Sequence, residues 1–332
     1  MNIYYDLNTK NKSFLEMHKK LKSLGIHNNK FMLAIKNKDL IGVDPFDVDA
    51  LSYKMKQEII EECRENIWYF LREIVREPVQ GGGDMRFPLD IGNLAGAYCF
   101  NIMTDFYVTK PRMTFSTGLL KTLLVYSLVI EESNTVDLFI REFAGNKMSL
   151  DIKAIMELLP EYIPSKALLY KKEGIWELSK GNNISIKTTK NHKSVAETIG
   201  RASNANYQFF DDFEFIPYCM DLLESSNIPY NTNKEVSDKP HCRMFCSVPS
   251  KKKNEKVNMF LHNCLRWSDI FFDYDIDTLK NLVSQTESKC IYIEKSHIEL
   301  DKDEEWLKYM CLLVRNDPEA IGREIYLKRE GF

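Results

Sequence analysis

The stretch from Asp105 to Ile130 constrains this chain more than any other. DFYVT (Asp105–Thr109) is a short β-rich run, KPRMTFST (Lys110–Thr117) reads as a loop, and Gly118–Ile130 is an apolar helix. Strand, loop and helix in that order begin a β-α unit, and such units build parallel sheets. The junction is also where phosphate groups bind, because a helix N-terminus offers unsatisfied N–H groups and the positive end of its dipole. The rest of the pattern agrees. Strands are predicted over 135–140, 207–210, 241–248 and 290–294, and helices over 93–103, 146–159, 275–286 and 303–314. The expected fold class is α/β, a mainly parallel sheet flanked by helices.

Ahead of this core the chain reads differently. Residues 13–24 suit a short helix with Ser13 as N-cap and Gly25 as stop, and FMLAI (31–35) a short strand. Residues 50–76 read as one helix, ended by Pro78 and the glycines at 81–83. This gives a helical N-terminal subdomain over 1–90, a core over 91–320 and a tail or linker over 321–332; Asp317–Phe332 is polar and lacks a clear core face. Residues 166–188 carry short β-like stretches. With 44% hydrophobic and 28% charged residues the chain is an ordinary folded protein. Its 45 Lys+Arg against 48 Asp+Glu give a net charge of −3, so no overall basic charge points to nucleic acid, and only a local basic face remains open. The N-terminus has no apolar signal core, and Gly118–Ile130 is too short to span a bilayer and contains Lys121. A chain that is not secreted, has no membrane partner and keeps its eight scattered cysteines reduced in a cytoplasm is expected.

A second motif is YQFFDDFEF (Tyr207–Phe215). A buried strand ending in acids is how a carboxylate is delivered to a Mg²⁺ site at the strand's C-terminal end. Together and in order, the two motifs resemble the large terminase subunit, the ATP-driven DNA-packaging motor of tailed bacteriophages. Other segments carry the likeness. ENIWYFLREIVRE (65–77) before a glycine cluster is similar to the family's pre-loop segment. Asn93-Leu-Ala precedes the loop, Leu158-Leu-Pro-Glu-Tyr follows it, Gly200-Arg-Ala leads into the acidic strand, and Ser247-Val-Pro resembles the coupling motif. The similarity spans residues 13 to 330, the ATPase part, and the chain stops near where the family's nuclease domain would begin.

The resemblance implies a P-loop NTPase-like sheet that binds ATP and Mg²⁺, with the nucleotide on Arg112, Met113, Thr114, Phe115, Ser116 and Thr117. It implies metal ligation by Thr117 and Asp211, a water-polarising acid at Asp212, and a charge-stabilising arginine at Arg112. The implied partners are double-stranded DNA, the portal protein, and a small terminase subunit or a separate active terminase or nuclease chain, in the cytoplasm of an infected host. The departures from the family pattern are as informative. Where that loop reads Arg-Gln-x-Gly-Lys-Thr/Ser, this chain has Phe115 at the glycine and Ser116 at the lysine. Glycine tolerates positive φ and a close backbone approach to phosphate. Phenylalanine at that φ is strained by about 1–2 kcal/mol. Serine supplies none of lysine's charge at the β- and γ-phosphates. Lys121, five residues on, lies about 140° around the helix and about 7.5 Å along it, pointing elsewhere. Lys110 and Arg112 can lend charge only from the loop's start. Asp212 is one methylene shorter than the family's glutamate, and catalysis is sensitive to displacements of about 1 Å; Glu214 is a substitute if the chain bends.

Two further constellations stand apart. His241-Cys242-x₃-Cys246 with His262-x-Cys264 is a loose zinc pattern without Cys-x₂-Cys, and core packing explains it as well; zinc is not the expected cofactor. Lys251–Lys253 with Lys256 reads as a solvated loop or a contact to DNA phosphates. Three functions follow: a terminase-type ATPase-fold protein with lost or reduced hydrolysis, an active packaging ATPase with a non-standard loop, and a zinc-dependent nucleic-acid binder.

Overall fold

The computed structural model describes residues 3–79, 81–130, 134–163, 168–172, 175–178, 181–189, 191–251 and 254–329. The chain divides into two compact units. One comprises Met1–Leu89, Lys121–Asn134 and Asn146–Ile184; the other comprises Asp90–Leu120, Thr135–Gly145 and Ser185–Phe332.

The second unit is built on strands β1 (Phe106–Thr109), β2 (Thr135–Arg141), β3 (Asn183–Thr189), β4 (Tyr207–Asp211), β5 (Cys242–Cys246), β6 (Leu265–Arg266) and β7 (Ile291–Glu294), in the order β6-β7-β1-β5-β4-β2-β3. Every pairing from β6 to β2 is parallel. This is the α/β, mainly parallel architecture that the sequence predicts. Its strands are apolar on both faces, as a sheet covered by helices requires. Register aligns Phe139 with Phe210, Phe210 with Phe245 and Phe245 with Tyr107. Their rings stack across four strands at centroid distances of 4.5, 4.6 and 5.9 Å. Each such pair adds about 0.5–1.5 kcal/mol to the area it buries. Phe213, Leu222 and Leu261 cover this face. Alternation along β4 turns Phe209 to the opposite face, where it meets Phe100 of helix α1 (Ile91–Asn101).

Helix α2 (Ser116–Val129) follows β1, as the β-α reading requires. Helices α3 (Lys193–Arg201) and α4 (Cys219–Val236) lie outside the sequence expectation. Pro229 and the polar Asn231-Thr-Asn-Lys run hide α4, which tertiary packing of Leu222, Leu223 and Tyr230 nevertheless holds helical. Gly200 lets α3 approach α4: a Cβ there would lie 1.9 Å from Ser225 Oγ and 2.6 Å from the Leu222 carbonyl.

In the first unit the structure corrects two readings. Residues 50–76 are not one helix. Helix Tyr53–Glu65 ends at Asn66, whose extended backbone (φ −148°) and side-chain oxygen cap a new turn at Trp68 and Tyr69; a π-type turn over Phe70–Ile74 follows. Within 31–35, Phe31–Leu33 form a 3₁₀ turn and only Ala34–Ile35 pair as a strand, antiparallel to Tyr4–Tyr5. A five-residue apolar run is too short for its period to decide. Strands Leu168–Lys172 and Ile175–Leu178 form an antiparallel hairpin within 166–188.

A third correction concerns Asp317–Phe332. Pro318–Glu324 is helical, Ile325 and Leu327 are buried, and Arg329 lies 2.6 Å from Glu214 with both side chains 3% exposed. Periodicity missed this because the segment is anchored by one buried charge pair and scattered apolar residues, not by an amphipathic stripe. Glu214 also accepts hydrogen bonds from the Tyr107 hydroxyl (3.0 Å) and the Ser250 N–H (2.9 Å). Removing one partner of such a pair strands the other's charge, so Arg329→Ala is expected to cost about 3–5 kcal/mol in denaturant unfolding. The double variant with Glu214→Gln is expected to lose less. A single-variant loss below about 1 kcal/mol, the range of surface pairs, would contradict a buried anchor.

Candidate functional site

The C-terminal ends of adjacent parallel strands are where open α/β sheets place their ligand crevices. Here β1, β5, β4 and β2 end at Thr109, Cys246, Asp211 and Arg141. Around those ends lies a cavity of about 500 Å³, lined by residues 110–118 together with Arg141, Asp212, Ser247 and Glu324, among others.

The loop from Lys110 to Phe115 keeps two left-handed residues, Met113 (φ +60°) and Phe115 (φ +70°). Phe115 therefore has a glycine-like backbone while carrying a benzyl group. The ring lies over the first turn of α2, where a Cβ at Gly118 would sit 2.5 Å from it. Gly118 is the residue that makes room for Phe115. The Thr114 hydroxyl donates to the Pro111 carbonyl, tightening the turn. The Arg112 N–H donates to the Glu324 carbonyl at 2.9 Å, and the guanidinium lies 2.8 Å from the Glu324 carboxylate.

Lys110 is fully buried. Its Nζ lies 2.7 Å from both Asp90 Oδ2 and Asn93 Oδ1, and burial, opposed by Asp90, pulls its pKa down. Lys121 lies 3.4 Å from Asp151 and 3.6 Å from Glu77, within the first unit. Ser116 opens α2 and brings no charge.

Two predicted metal-site residues meet: the Thr117 hydroxyl donates to Asp211 Oδ1 at 3.0 Å. The Cys246 thiol donates to the same oxygen at 3.1 Å. Burial, reinforced by the neighbouring Asp212 carboxylate, pushes the Asp211 carboxyl up, against the lowering effect of these two donors. Asp212 has a left-handed backbone (φ +51°), and its carboxylate lies 2.6 Å from Arg141. Glu214 is held by Arg329, Tyr107 and Ser250, which removes it as a stand-in for Asp212. Sequence reasoning missed Arg141 and Glu324. Arg141 had a signal: it follows a predicted strand directly, as Asp211 does. Glu324 had none, since it lies 212 residues from Arg112.

The cysteine–histidine pattern disperses. Cys242 Sγ faces the Thr104 carbonyl, Cys246 faces Asp211, Cys264 faces the Phe260 carbonyl, and His241 Nδ1 lies 2.8 Å from the Lys239 carbonyl. Among the described residues no group of three or more His, Cys, Asp or Glu is placed to hold a metal ion. Lys251 pairs with Glu319 and Lys256 with Glu224, both exposed; Lys252 and Lys253 lie outside the described residues. No helix among the described residues is long and apolar enough to cross a membrane.

No protein-family model matches the sequence, and no curated protein does. Solved structures do. The HK97 bacteriophage large terminase superposes with a TM-score of 0.52 at 10% identity, over 82% of this chain and 55% of that one. The ATPase domain of the Thermus phage P74-26 large terminase gives 0.47 at 10% identity, over 73% of this chain and 94% of that one. The large terminase of the thermophilic bacteriophage D6E, in complex with ATP-gamma-S, gives 0.46 at 8% identity, over 73% and 53%. The chain thus spans about half the length of the HK97 and D6E chains. The likeness to the HK97 large terminase is one of fold, and it agrees with the α/β fold that the sequence resemblance implies.

The raised carboxyl of Asp211 has a measurable consequence. A carboxyl whose pKa is higher folded than unfolded binds more protons in the native state between those two values. Stability is therefore lost as pH rises through that window, from the ordinary value of 3.8 upward. Asp211→Asn keeps an acceptor for Thr117 and Cys246 without the charge. It is expected to melt above the wild type at pH 7, with the gap closing as pH falls toward 4. A variant that melts below the wild type at pH 7 would show that the charge is stabilised, not strained.

Proposed function

We propose that this chain acts in packaging phage DNA, as a large-terminase-type ATPase-fold protein whose ATP hydrolysis is lost or strongly reduced. The observation that carries the reading is the loop: Phe115 holds the left-handed turn at φ +70° and Ser116 follows it where the motor family has lysine. Among the described residues the lysines nearest in sequence do not replace that charge, because Lys110 is bound to Asp90 and Lys121 to Asp151 and Glu77.

The metal side fits better than the phosphate side. Mg²⁺ is commonly bound through one or two protein oxygens, with phosphates and water completing its shell, and Thr117 and Asp211 would be those oxygens. When bound, Mg²⁺ neutralises charge on the phosphates. The chain's own residues do less. Thr117 and Cys246 orient the Asp211 carboxylate. Arg141 holds Asp212, the acid that would polarise water, at a reach one methylene short of glutamate. A missing lysine and a misplaced base each act on the chemical step, so nucleotide binding can outlast turnover. In this role the chain works through its surfaces, with DNA, the portal and other motor chains as partners.

The Thr117–Asp211 contact favours a second reading, an active ATPase with an unusual loop. Steady-state phosphate release with and without double-stranded DNA separates the two. The expected outcome is background release from the wild type, unchanged by Asp211→Ala, and measurable release from the Phe115→Gly/Ser116→Lys variant. Clear wild-type turnover abolished by Asp211→Ala would establish the active enzyme.

A further inference from the structure

Among the described residues three cations line the cavity at the strand ends: Lys110, Arg112 and Arg141. They differ in what holds them. Lys110 is buried against Asp90 and Asn93, and moving it would strand a carboxylate. Arg112 is held by its side chain and by its own N–H, both on Glu324. Arg141 is held by one carboxylate, with the two side chains 49% and 36% exposed. Exposed pairs of this kind are worth about 0–1 kcal/mol. A phosphate offers a guanidinium a bidentate, multiply charged partner that is stronger than one carboxylate.

Placement agrees with mobility. Register pairs Phe139 of β2 with Phe210 of β4, so Arg141 and Asp212 stand side by side just beyond the sheet. The guanidinium lies over the Phe215 ring, 5.6 Å from its centroid, which keeps it at the cavity wall when Asp212 lets go.

We infer that Arg141 is the phosphate-binding cation of this cavity, delivered from the neighbouring strand in place of the lysine that Ser116 lacks, and that Asp212 holds it until a phosphate-bearing anion arrives. The inference rests on reading residues 110–118 as a phosphate loop. Its ligand class is a di- or polyphosphate, free or carried on a nucleoside. Anion entry transfers Arg141 from Asp212 to phosphate oxygens and leaves the Asp212 carboxylate uncovered.

Calorimetric titration of the full chain with pyrophosphate, without metal, tests it, with inorganic phosphate and ADP as parallel probes. The wild type is expected to bind pyrophosphate. Arg141→Ala is expected to weaken binding by about tenfold or more, the effect of one charge-assisted contact. Arg141→Lys is expected to lose less, and Arg112→Ala, still anchored by its backbone, less than Arg141→Ala. Adding Ser116→Lys to Arg141→Ala returns binding, which a merely structural role for Arg141 would not allow. ADP binding above pyrophosphate assigns the site to a nucleotide and the reverse to a free polyphosphate; either supports it. A wild type that ignores all three anions, or an Arg141→Ala variant that melts normally and binds as the wild type does, overturns it. Failure of the proposed function shows instead as wild-type phosphate release, which this metal-free titration does not read.

Discussion

The left-handed turn at Phe115 is the constraint on which the site depends. Two non-glycine residues, Met113 and Phe115, adopt positive φ within one short loop, each at a cost of about 1–2 kcal/mol. The turn persists because its surroundings hold it. Arg112 is bonded through backbone and side chain to Glu324, Thr114 closes back on Pro111, and the Phe115 ring rests where Gly118 leaves room. The loop keeps the backbone of a glycine-bearing turn while carrying a benzyl group and, next to it, a neutral hydroxyl.

The same separation of shape from chemistry recurs at the strand ends. Thr117 still meets Asp211, but a thiol from Cys246 shares the carboxylate oxygen, and burial disfavours the charge that a metal ion would need. Asp212 still follows, but an arginine covers it. Glu214 has become part of a buried anchor that ties the C-terminal segment to the strand carrying Tyr107 and to the segment after Ser247-Val-Pro.

Much of the sheet was legible in the sequence, because buried parallel strands are short continuous apolar runs and the β1-loop-α2 junction is ordered as its physics demands. The acids at the end of β4 were legible for the same reason. What escaped had nonlocal causes. Helix α4 contains Pro229 and a polar stretch, and only its packing makes it a helix. The break at Asn66 comes from a side-chain cap inside an otherwise helical pattern. Glu324 reaches the site, and Arg329 reaches Glu214, across more than 100 residues of chain, and no periodicity encodes that. Arg141 directly follows a predicted strand, but its place beside Asp212 comes from the pairing of β2 with β4, which the loop's own sequence does not encode.

The proposed loss or strong reduction concerns the chemical step and not the fold. A single-turnover experiment addresses that step directly, since product release cannot mask it. With the chain in excess over radiolabelled ATP, and Mg²⁺ and DNA present, phosphate is predicted to form no faster than without protein. A burst approaching one phosphate per ATP would contradict the account.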